Sequence, residues 1–441
     1  MKRFHFQQLF LSMVASGMLG FTHTAMAAAF QLWEQDGASI GNYHAGRAAS
    51  AEDASTSYYN PAGLVRIHNQ QLVVAVDPIV TNFKFRGTIR DVFGKLNDST
   101  TPAVAQGGGF NVLSALHYAA PLNDSFVFGF SVVSPFGLKT DYGTDATTRY
   151  VGTLTSLQII DVAPSLGFAV NNKLSLGAGL DAEIARGEFD LIAGRMDSPD
   201  FDTTSDNVGR STGYGYHAGI LYQINEQTRI GLSYYSKITH HLQGASKFTG
   251  ELANDGNPPL FEQSNQLKAN ITLPATTTLS LFKTINPVWD VMGTVSYTQW
   301  SVFNQLVLQN IAAATSDSTS GIITVIIPQH YHNTWNYSVG TNYHINAQWM
   351  LRGGMGYDQS PSNNYYRNLQ APDSDRIALA LGTHYQASKT IGLDMGWTHV
   401  FAMNTRIHNV EQTVGSQITT TDGSVRGNAD VFGFQVTWDI T

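Results

Sequence analysis

Large apolar side chains alternate with small or polar ones along much of the chain. From Ile391 to Thr398, Ile, Leu, Met and Trp occupy every second position, with Gly, Asp and Thr between them. Phe432 to Ile440 repeats the pattern. A period of two places the two sets on opposite faces of a β-strand. Similar stretches are Phe126 to Phe130, Leu174 to Leu180, Ile230 to Tyr234 and Ile377 to Tyr385.

The composition narrows what these strands can build. Charged residues make up 13% of the chain, about half the usual share of roughly 25%. Aromatic residues reach 11%, and beyond residue 27 no run of apolar residues is long enough for a membrane helix. These properties predict an all-β fold, a transmembrane antiparallel β-barrel whose apolar face meets lipid. A secreted sandwich or propeller is the alternative, because periodicity does not say which face points inward.

The first residues read as a secretory signal from Met1 to Ala27. Lys2 and Arg3 precede an apolar run from Leu9 to Phe21, and Ala25 and Ala27 supply a small-x-small cleavage pattern. The alternative is an N-terminal membrane anchor. Removing the signal changes the net charge from -8 to -10, and so acidic a chain is a poor partner for nucleic acid. The absence of cysteine is compatible with export.

Long polar connections alternate with short ones, as in outer-membrane barrels. The short turns are Asn171 to Asn172, Asn225 to Glu226 and Asn286 to Pro287. At roughly 10 residues per strand, the remaining chain predicts about 14 strands. The predicted domains are a signal peptide at 1–27, an N-terminal hatch at 28–70 and a barrel at 71–441. The long connections are Asp91 to Gly109, Asp190 to Thr212, Gln243 to Gln266, Asn310 to Ser320, Asp358 to Asp375 and Asn404 to Asn428.

The segment before the first strand differs from the rest. Gly46 to Thr56 is rich in small residues, and Asn60, Pro61 and Ala62 follow it. Asn60 can cap a helix that begins at Pro61, since that position leaves its N–H unpaired in any case. The segment is either a compact plug in the barrel lumen or an unstructured periplasmic tail.

Several motifs, in order along the chain, resemble the FadL/TodX-type outer-membrane transporters of long-chain fatty acids and other hydrophobic compounds. The resemblance covers the whole chain after the signal. The motifs are Ala28 to Leu32, Gly46 to Ala48, Asn60 to Ala62, Leu273 to Pro274, Pro287 to Trp289, Tyr297 to Phe303, Trp349 to Gly354, Tyr357 to Pro361 and Pro372 to Arg376.

This resemblance implies a 14-stranded barrel closed by an N-terminal hatch, in the outer membrane of a Gram-negative bacterium. It also implies sideways release of the ligand through a kinked early strand, at Pro135, Phe136 and Gly137. A proline has no ladder donor, which is an independent reason to expect a break in the wall there. By itself, Pro135 would be interpreted as a strand end.

Three substrate-binding residues carry over from the family. Phe30 matches the hatch phenylalanine beside the pocket, and Arg186 matches a basic residue facing the bound carboxylate. A second basic position falls near His332, whose neutral imidazole pairs weakly with a carboxylate. This departure leaves room for an uncharged hydrocarbon.

Other motifs suggest different chemistry. Gly37 to Gly41 satisfies G-x-S-x-G with Ser39, the nucleophile pattern of serine hydrolases, but no core strand precedes it. The histidine pairs His330/His332 and His240/His241 lack a third metal ligand in the sequence. We therefore predict no enzyme activity, no cofactor and no metal.

The sequence thus predicts passive uptake of long-chain fatty acids or similar hydrophobic molecules, with lateral release into the membrane. The alternatives are uptake of aromatic hydrocarbons, a general porin, and an outer-membrane lipase with Ser39. Expected partners are the hydrophobic ligand, outer-membrane lipid and lipopolysaccharide, and the barrel assembly machinery, with the chain a monomer.

Overall fold

The computed structural model describes residues 29–91, 97, 102–253, 261–313, 321–403, 405–414 and 417–440. The predicted signal Met1 to Ala27 lies outside these residues. Among them, no helix is both long and apolar enough to cross a membrane. The strands are β1 Gln70–Arg90, β2 Ala103–Gln106, β3 Phe110–Pro121, β4 Phe126–Val133, β5 Gly137–Asp141, β6 Leu154–Ala169, β7 Leu174–Arg195, β8 Ser198–Asn225, β9 Thr228–Tyr235, β10 Ile238–Thr249, β11 Phe261–Leu273, β12 Thr276–Asn286, β13 Trp289–Thr298, β14 Gln305–Ala312, β15 Ile322–Pro328, β16 Thr334–His344, β17 Trp349–Asp358, β18 Arg376–Gln386, β19 Ile391–Ala402, β20 Thr405–Val414 and β21 Gln417–Ile440.

These strands form one closed antiparallel barrel. Within the described residues, seven wall strands are continuous and seven are split once, so that the wall has 14 strands. The split ones are β2/β3, β4/β5, β9/β10, β11/β12, β13/β14, β15/β16 and β19/β20. The ring closes where β1 pairs with β21, from Gln70 opposite Ile440 to Arg90 opposite Thr420. The predicted all-β barrel of about 14 strands is confirmed, and closure excludes an open sandwich.

The apolar face of the alternation points outward. On β19, Ile391, Leu393 and Met395 are exposed, while Asp394 and Thr398 are buried. The same holds on β21, where Phe432 and Phe434 are exposed. An outward apolar face is stable only against lipid, which confirms the membrane interpretation of the pattern.

Residues 29–67 lie inside the barrel and are almost entirely buried. They form three single-turn helices, α1 Gly37–Ile40, α2 Arg47–Ser50 and α3 Thr56–Tyr59, and the 3-10 helix η1 Pro61–Arg66. Two further 3-10 turns belong to the barrel, η2 Thr147–Tyr150 and η3 Trp300–Val302. The plug interpretation is confirmed, and the N-terminal segment is called the hatch below.

Asn60 caps η1 as the sequence predicts. Its Oδ1 accepts a hydrogen bond from Ala62 N at 3.1 Å, and Pro61 is the first helical residue. Its Nδ2 donates to the carbonyls of Ala48 at 2.6 Å and Ile220 at 3.1 Å. Asn60 therefore orders the hatch internally and also joins it to the wall strand β8.

Inward-facing glycines let the hatch lie directly against the wall. A Cβ at Gly219 would be 1.9 Å from Asn60 Oδ1, and one at Gly231 would be 1.7 Å from Ala48 O. Real Cβ atoms do not approach other atoms so closely. The glycines of the inner face are thus required by packing against the hatch backbone.

Candidate functional site

The wall is interrupted between β3 and β5. β3 pairs with β4 from Pro121 opposite Val127 up to Leu116 opposite Val132. β5 is paired with β6 on its other side, and the next backbone hydrogen bond toward the β2/β3 strand is Asp141 N to Gly107 O, at 3.0 Å. Between these points the described backbone forms no ladder across this seam. Pro135, which has no N–H, lies within the interruption.

The hatch N-terminus pairs with the interrupted segment instead. Leu32 N donates to Pro135 O at 2.8 Å, and Gly137 N donates to Phe30 O at 2.7 Å. Gln31 and Phe136 form an isolated antiparallel bridge between these two bonds. The kinked strand has therefore turned inward, away from its wall neighbour and toward the hatch.

Phe30 is the centre of an aromatic cluster. Its ring centroid lies 4.7 Å from that of Trp300, 5.3 Å from that of Phe303 and 6.2 Å from that of Phe136, all edge to face. Tyr331 completes the cluster, 5.3 Å from Phe303. All five side chains are at least nine-tenths buried. The structure thus brings the predicted residues Phe30 and Phe136 together.

An apolar cavity of about 50 Å³ lies on one side of Phe30. None of the described residues that line it has a charged side chain. They are Phe30, Leu138, Thr155, Leu157, Phe189, Ile271, Phe303, Leu306, Ile327, Gln329, Tyr331, Asn368, Gln370 and Ala371. We call this space the upper cavity.

The residues after β17 cover the upper cavity. Tyr142 Oη donates to Leu369 O at 2.9 Å, and Thr140 Oγ1 donates to Gln370 O at 3.1 Å. Because both donors follow the kinked segment, this loop is fixed to the same part of the wall that is interrupted.

A second cavity, of about 80 Å³, lies between the hatch and the wall, and Gln31 and Phe136 are part of its lining. We call it the lower cavity. It differs in chemistry, because its lining includes the buried carboxyl groups of Asp161, Asp181 and Glu183. Asp181 contacts His217 Nδ1 at 2.6 Å, and Glu183 contacts His240 Nε2 at 2.8 Å.

Burial changes the ionisation of two hatch side chains near this space. The desolvation of Glu34 raises the pKa of its carboxyl to about 7. Desolvation, with the nearby charge of Arg47, lowers the pKa of His44 to about 3. His44 is therefore neutral at ordinary pH.

A model of the family described as outer membrane protein transport protein (OMPP1/FadL/TodX) matches residues 18–440. The chain belongs to this family. It is similar to the long-chain fatty acid transport protein of Escherichia coli K12, at 27% identity over 87% of this chain and 90% of the relative. It is 25% identical to outer membrane protein P1 of Haemophilus influenzae, over 97% of this chain and 98% of the relative.

Solved structures agree with the fold. A FadL homologue of Pseudomonas aeruginosa has a TM-score of 0.81 at 24% identity, covering 94% of this chain and all of the homologue. The Pseudomonas putida toluene transporter TodX has a TM-score of 0.68 at 18% identity, covering 93% of this chain and 99% of TodX. The FadL/TodX resemblance is confirmed, and the chain is a Gram-negative outer-membrane protein.

The other two predicted binding residues of this FadL/TodX-family chain lie away from Phe30. Arg186 shares the outward face of β7 with Leu180 and Ile184, and it forms a salt bridge of 2.6 Å with Glu188. His332 is exposed, whereas its neighbour Tyr331 is buried against the upper cavity. The structure therefore does not bring Arg186 or His332 together with Phe30 at either cavity.

Trp300, Phe303 and Tyr331 were not predicted as site residues. Trp300 and Phe303 belong to the motif Tyr297 to Phe303, which resembles the family. The motif identifies these aromatic residues but does not indicate that they lie at the cavity. All three lie where wall strands break, Trp300 and Phe303 between β13 and β14 and Tyr331 between β15 and β16. The breaks allow these side chains to turn into the lumen.

Ser39 lies in a hydrogen-bonded group within the hatch. Its Oγ is 2.9 Å from His44 Nδ1 and also bonds to Asp36, whose carboxylate caps α1 through Ser39 N at 2.7 Å. Asp36 forms a salt bridge of 2.6 Å with Arg47. Ser39 is fully buried, and among the described residues no group of three or more His, Asp or Glu side chains could hold a metal ion.

Proposed function

We propose that this chain takes up long-chain fatty acids or similar hydrophobic molecules across the outer membrane by passive diffusion and releases them sideways. The observation that carries the proposal is the position of the upper cavity. Its floor is Phe30, and Phe30 O bonds to Gly137 N in the interrupted wall segment. A ligand bound there lies next to the seam between β3 and β5, where the described wall has no strand ladder. The names of the relatives support the substrate class.

Energetics favours the lateral route. A C16 chain buries about 15 methylenes at roughly 0.8 kcal/mol each, or about 12 kcal/mol. Passing into lipid retains almost all of this, since lipid tails are as apolar as the cavity. The axial route leads into the lower cavity, where Asp161, Asp181 and Glu183 would replace the apolar surroundings. We therefore propose Pro135, Phe136 and Gly137 as the lateral gate.

The chain is proposed not to be an enzyme. In a hydrolase triad the carboxylate orients the histidine, but here Asp36 bonds to Ser39 and Arg47. Ser39 is also fully buried. This arrangement supports a capping role, not the lipase alternative. A general porin is not supported either, because the hatch fills the lumen.

We also propose how the chain is divided into domains and which molecules it contacts. We place the hatch at residues 28–70 and the barrel at 71–441, after a signal peptide at 1–27. The exposed apolar side chains of the wall support contact with outer-membrane lipid and lipopolysaccharide. We further propose that the barrel assembly machinery inserts the chain and that the chain is a monomer. TodX-like aromatic hydrocarbons remain the alternative substrates.

A disulfide across the seam tests the gate. In a straight wall strand the β3–β4 register, continued past Leu116 and Val132, would set residue 112 opposite residue 136, so a disulfide between them holds the kinked segment in the closed-wall position. The chain has no cysteine, so Val112→Cys with Phe136→Cys introduces the only thiols. We expect oxidation to stop oleate uptake by cells and reduction to restore it, while the purified protein binds oleate in both states.

The matched control is a pair of cysteines at Val339 and Met355, which face each other on the exposed outer face of the continuous β16–β17 ladder. Oxidation of this pair is expected to leave uptake unchanged. Full uptake by the oxidised 112/136 protein would show that the ligand leaves by another route. Loss of binding in both oxidation states would show instead that the substitutions damage the cavity.

A further inference from the structure

Two side-chain amides that line the upper cavity are each only half satisfied. Asn368 Oδ1 accepts a hydrogen bond from Ala371 N at 2.9 Å, whereas its Nδ2 has no partner among the described residues. Gln370 Nε2 donates to Val151 O at 2.7 Å, whereas its Oε1 finds no donor in the described part of the chain. Asn368 is only 2% exposed. Two residues of the cavity lining therefore carry one unpaired donor and one unpaired acceptor among mostly apolar neighbours.

The existing hydrogen bonds determine which atom of each amide is free. Ala371 N needs an acceptor, so the atom facing it is Asn368 Oδ1. Val151 O needs a donor, so the atom facing it is Gln370 Nε2. Buried polar atoms without partners are costly and uncommon in folded proteins. A ligand that satisfies both would gain affinity from groups the fold leaves free.

Among the described residues that line this space, none carries a charge that could pair with an ionised head group. Arg367 lies in the same loop, but each of its side-chain nitrogens already donates to an acceptor in this loop or in the neighbouring strand β20. Its Nε bonds to Asp373 O, one terminal nitrogen bonds to Asn364 Oδ1 and Arg406 O, and the other bonds to Ser362 O. A carboxylate placed there would lose its hydration without a counter-charge, which is strongly unfavourable.

We infer that the upper cavity selects long-chain molecules whose head is an uncharged hydroxyl group, either a fatty alcohol or a protonated fatty acid, over an ionised carboxylate. Such a hydroxyl donates to Gln370 Oε1 and accepts from Asn368 Nδ2. The inference rests on the proposed function and specifies its substrate class. It also differs from the expectation of a carboxylate paired with Arg186.

A set of four C16 ligands tests the inference on the purified full-length protein in non-ionic detergent. 1-Hexadecanol, palmitate, methyl palmitate and hexadecane each compete with a fluorescent apolar probe, at pH 5 and pH 8. At pH 8 we expect hexadecanol to bind about 10-fold more tightly than each of the others, as one buried hydrogen-bond pair predicts. Palmitate should gain affinity at pH 5, where more of it is protonated, whereas hexadecanol should not.

Two substitutions at one position give opposite results. Gln370→Met removes the free acceptor and should abolish the preference for hexadecanol over methyl palmitate. Gln370→Lys adds an ammonium group and should make ionised palmitate the preferred ligand at pH 8. Gln263→Met, at an exposed position on β11, is the control for a Gln-to-Met substitution. It should leave the affinities for all four ligands unchanged.

The outcomes separate this inference from the proposed function. Tighter binding of palmitate than of hexadecanol by the unaltered protein at pH 8 would overturn the inference and leave hydrophobic uptake standing. Equal affinities for all four ligands would do the same. Failure of every ligand to displace the probe would overturn both. The ligand series on the unaltered protein decides the matter even if Gln370→Met does not fold.

Discussion

The side-chain amide of Gln35 replaces a missing strand partner for Ser134. Gln35 Nε2 donates to Ser134 O at 2.9 Å, and Ser134 N donates to Gln35 Oε1 at 3.0 Å. Ser134 lies directly after the last paired residue of β4, so a wall strand would normally supply these bonds. A hatch side chain thus completes the ladder at the point where the wall stops.

Removing this amide should loosen the seam. Gln35→Leu leaves both the N–H and the carbonyl of Ser134 unpaired inside the protein, at about 1–3 kcal/mol for each group. We expect faster amide hydrogen exchange at Ser134, Leu32 and Gly137 with the barrel still folded. The control is Gln348→Leu, at an exposed turn. Equal protection in the two variants would mean that the wall holds Ser134 without the hatch.

Phe30 should control ligand occupancy. Phe30→Ala removes the contacts with Trp300, Phe303 and Phe136 and opens the floor of the upper cavity, at a cost of about 3–5 kcal/mol. We predict weaker palmitate and hexadecanol binding by a barrel that still shows a heat-dependent gel shift. Deletion of residues 28–35 should have a larger effect of the same sign. Unchanged affinity in a folded deletion variant would contradict the placement of Phe30 at the ligand.

The wall could be predicted from the sequence because its signal is local. The alternation at Ile391 to Thr398 already separates lipid-facing from lumen-facing residues, and Asn60 followed by Pro61 specifies its own helix start. The aromatic cluster could not be predicted in the same way. Phe30, Trp300 and Tyr331 are far apart in sequence, and they meet only because the barrel closes and three of its strands break.

Arg186 illustrates how the phase of a strand sets the direction of a side chain. The apolar face of β7 includes Leu174, Leu176 and Leu180, all at even positions, and β7 is regular up to Ala193. Continuing that phase places Arg186 on the outward face. A displacement by one residue reverses the face of every side chain. The family resemblance implies a role in binding for Arg186, whereas the alternation along β7 predicts that its side chain points outward.

Removal of the Arg186 side chain should therefore not affect ligand binding. In Arg186→Ala we expect the same affinities for palmitate and for methyl palmitate as in the unaltered protein, since the guanidinium pairs with Glu188 on the outer face. Competition binding at pH 8 measures both. Lys283→Ala, exposed on β12, is the control for loss of a surface cation. A selective loss of palmitate would restore Arg186 as the carboxylate partner.

The hatch N-terminus should be pH-dependent through Glu34. Burial raises the pKa of this carboxyl from its ordinary value of 4.5 to about 7, so the folded hatch binds the proton more tightly than the unfolded chain does. Its contribution to stability is complete below about pH 4.5 and decreases as the pH rises toward 7. We expect protection of the Leu32 amide to decrease from pH 5 to pH 8, after correction for intrinsic exchange.

Glu34→Gln should remove this pH dependence, because the amide stays neutral throughout the range. Glu226→Gln, in an exposed turn, should retain it. A decrease of the same size in Glu34→Gln would assign the effect to another group, and His44 would be excluded, since its neutral form is favoured throughout this range.

The contact between hatch and wall should depend on single inward glycines. In Gly231→Ala the new Cβ would lie 1.7 Å from Ala48 O, a backbone atom that cannot move alone, so α2 must shift from the wall. In the control Gly293→Ala, the nearest of the surrounding atoms is Ser338 O at 3.6 Å, an ordinary contact. We expect Gly231→Ala to expose the hatch to protease and to raise ion conductance in planar bilayers, with the heat-dependent gel shift retained. Gly293→Ala should remain resistant to protease and should conduct almost no ions. Resistance of both variants would show that the wall can deform around the hatch, and the required close approach of Ala48 to Gly231 would then be wrong.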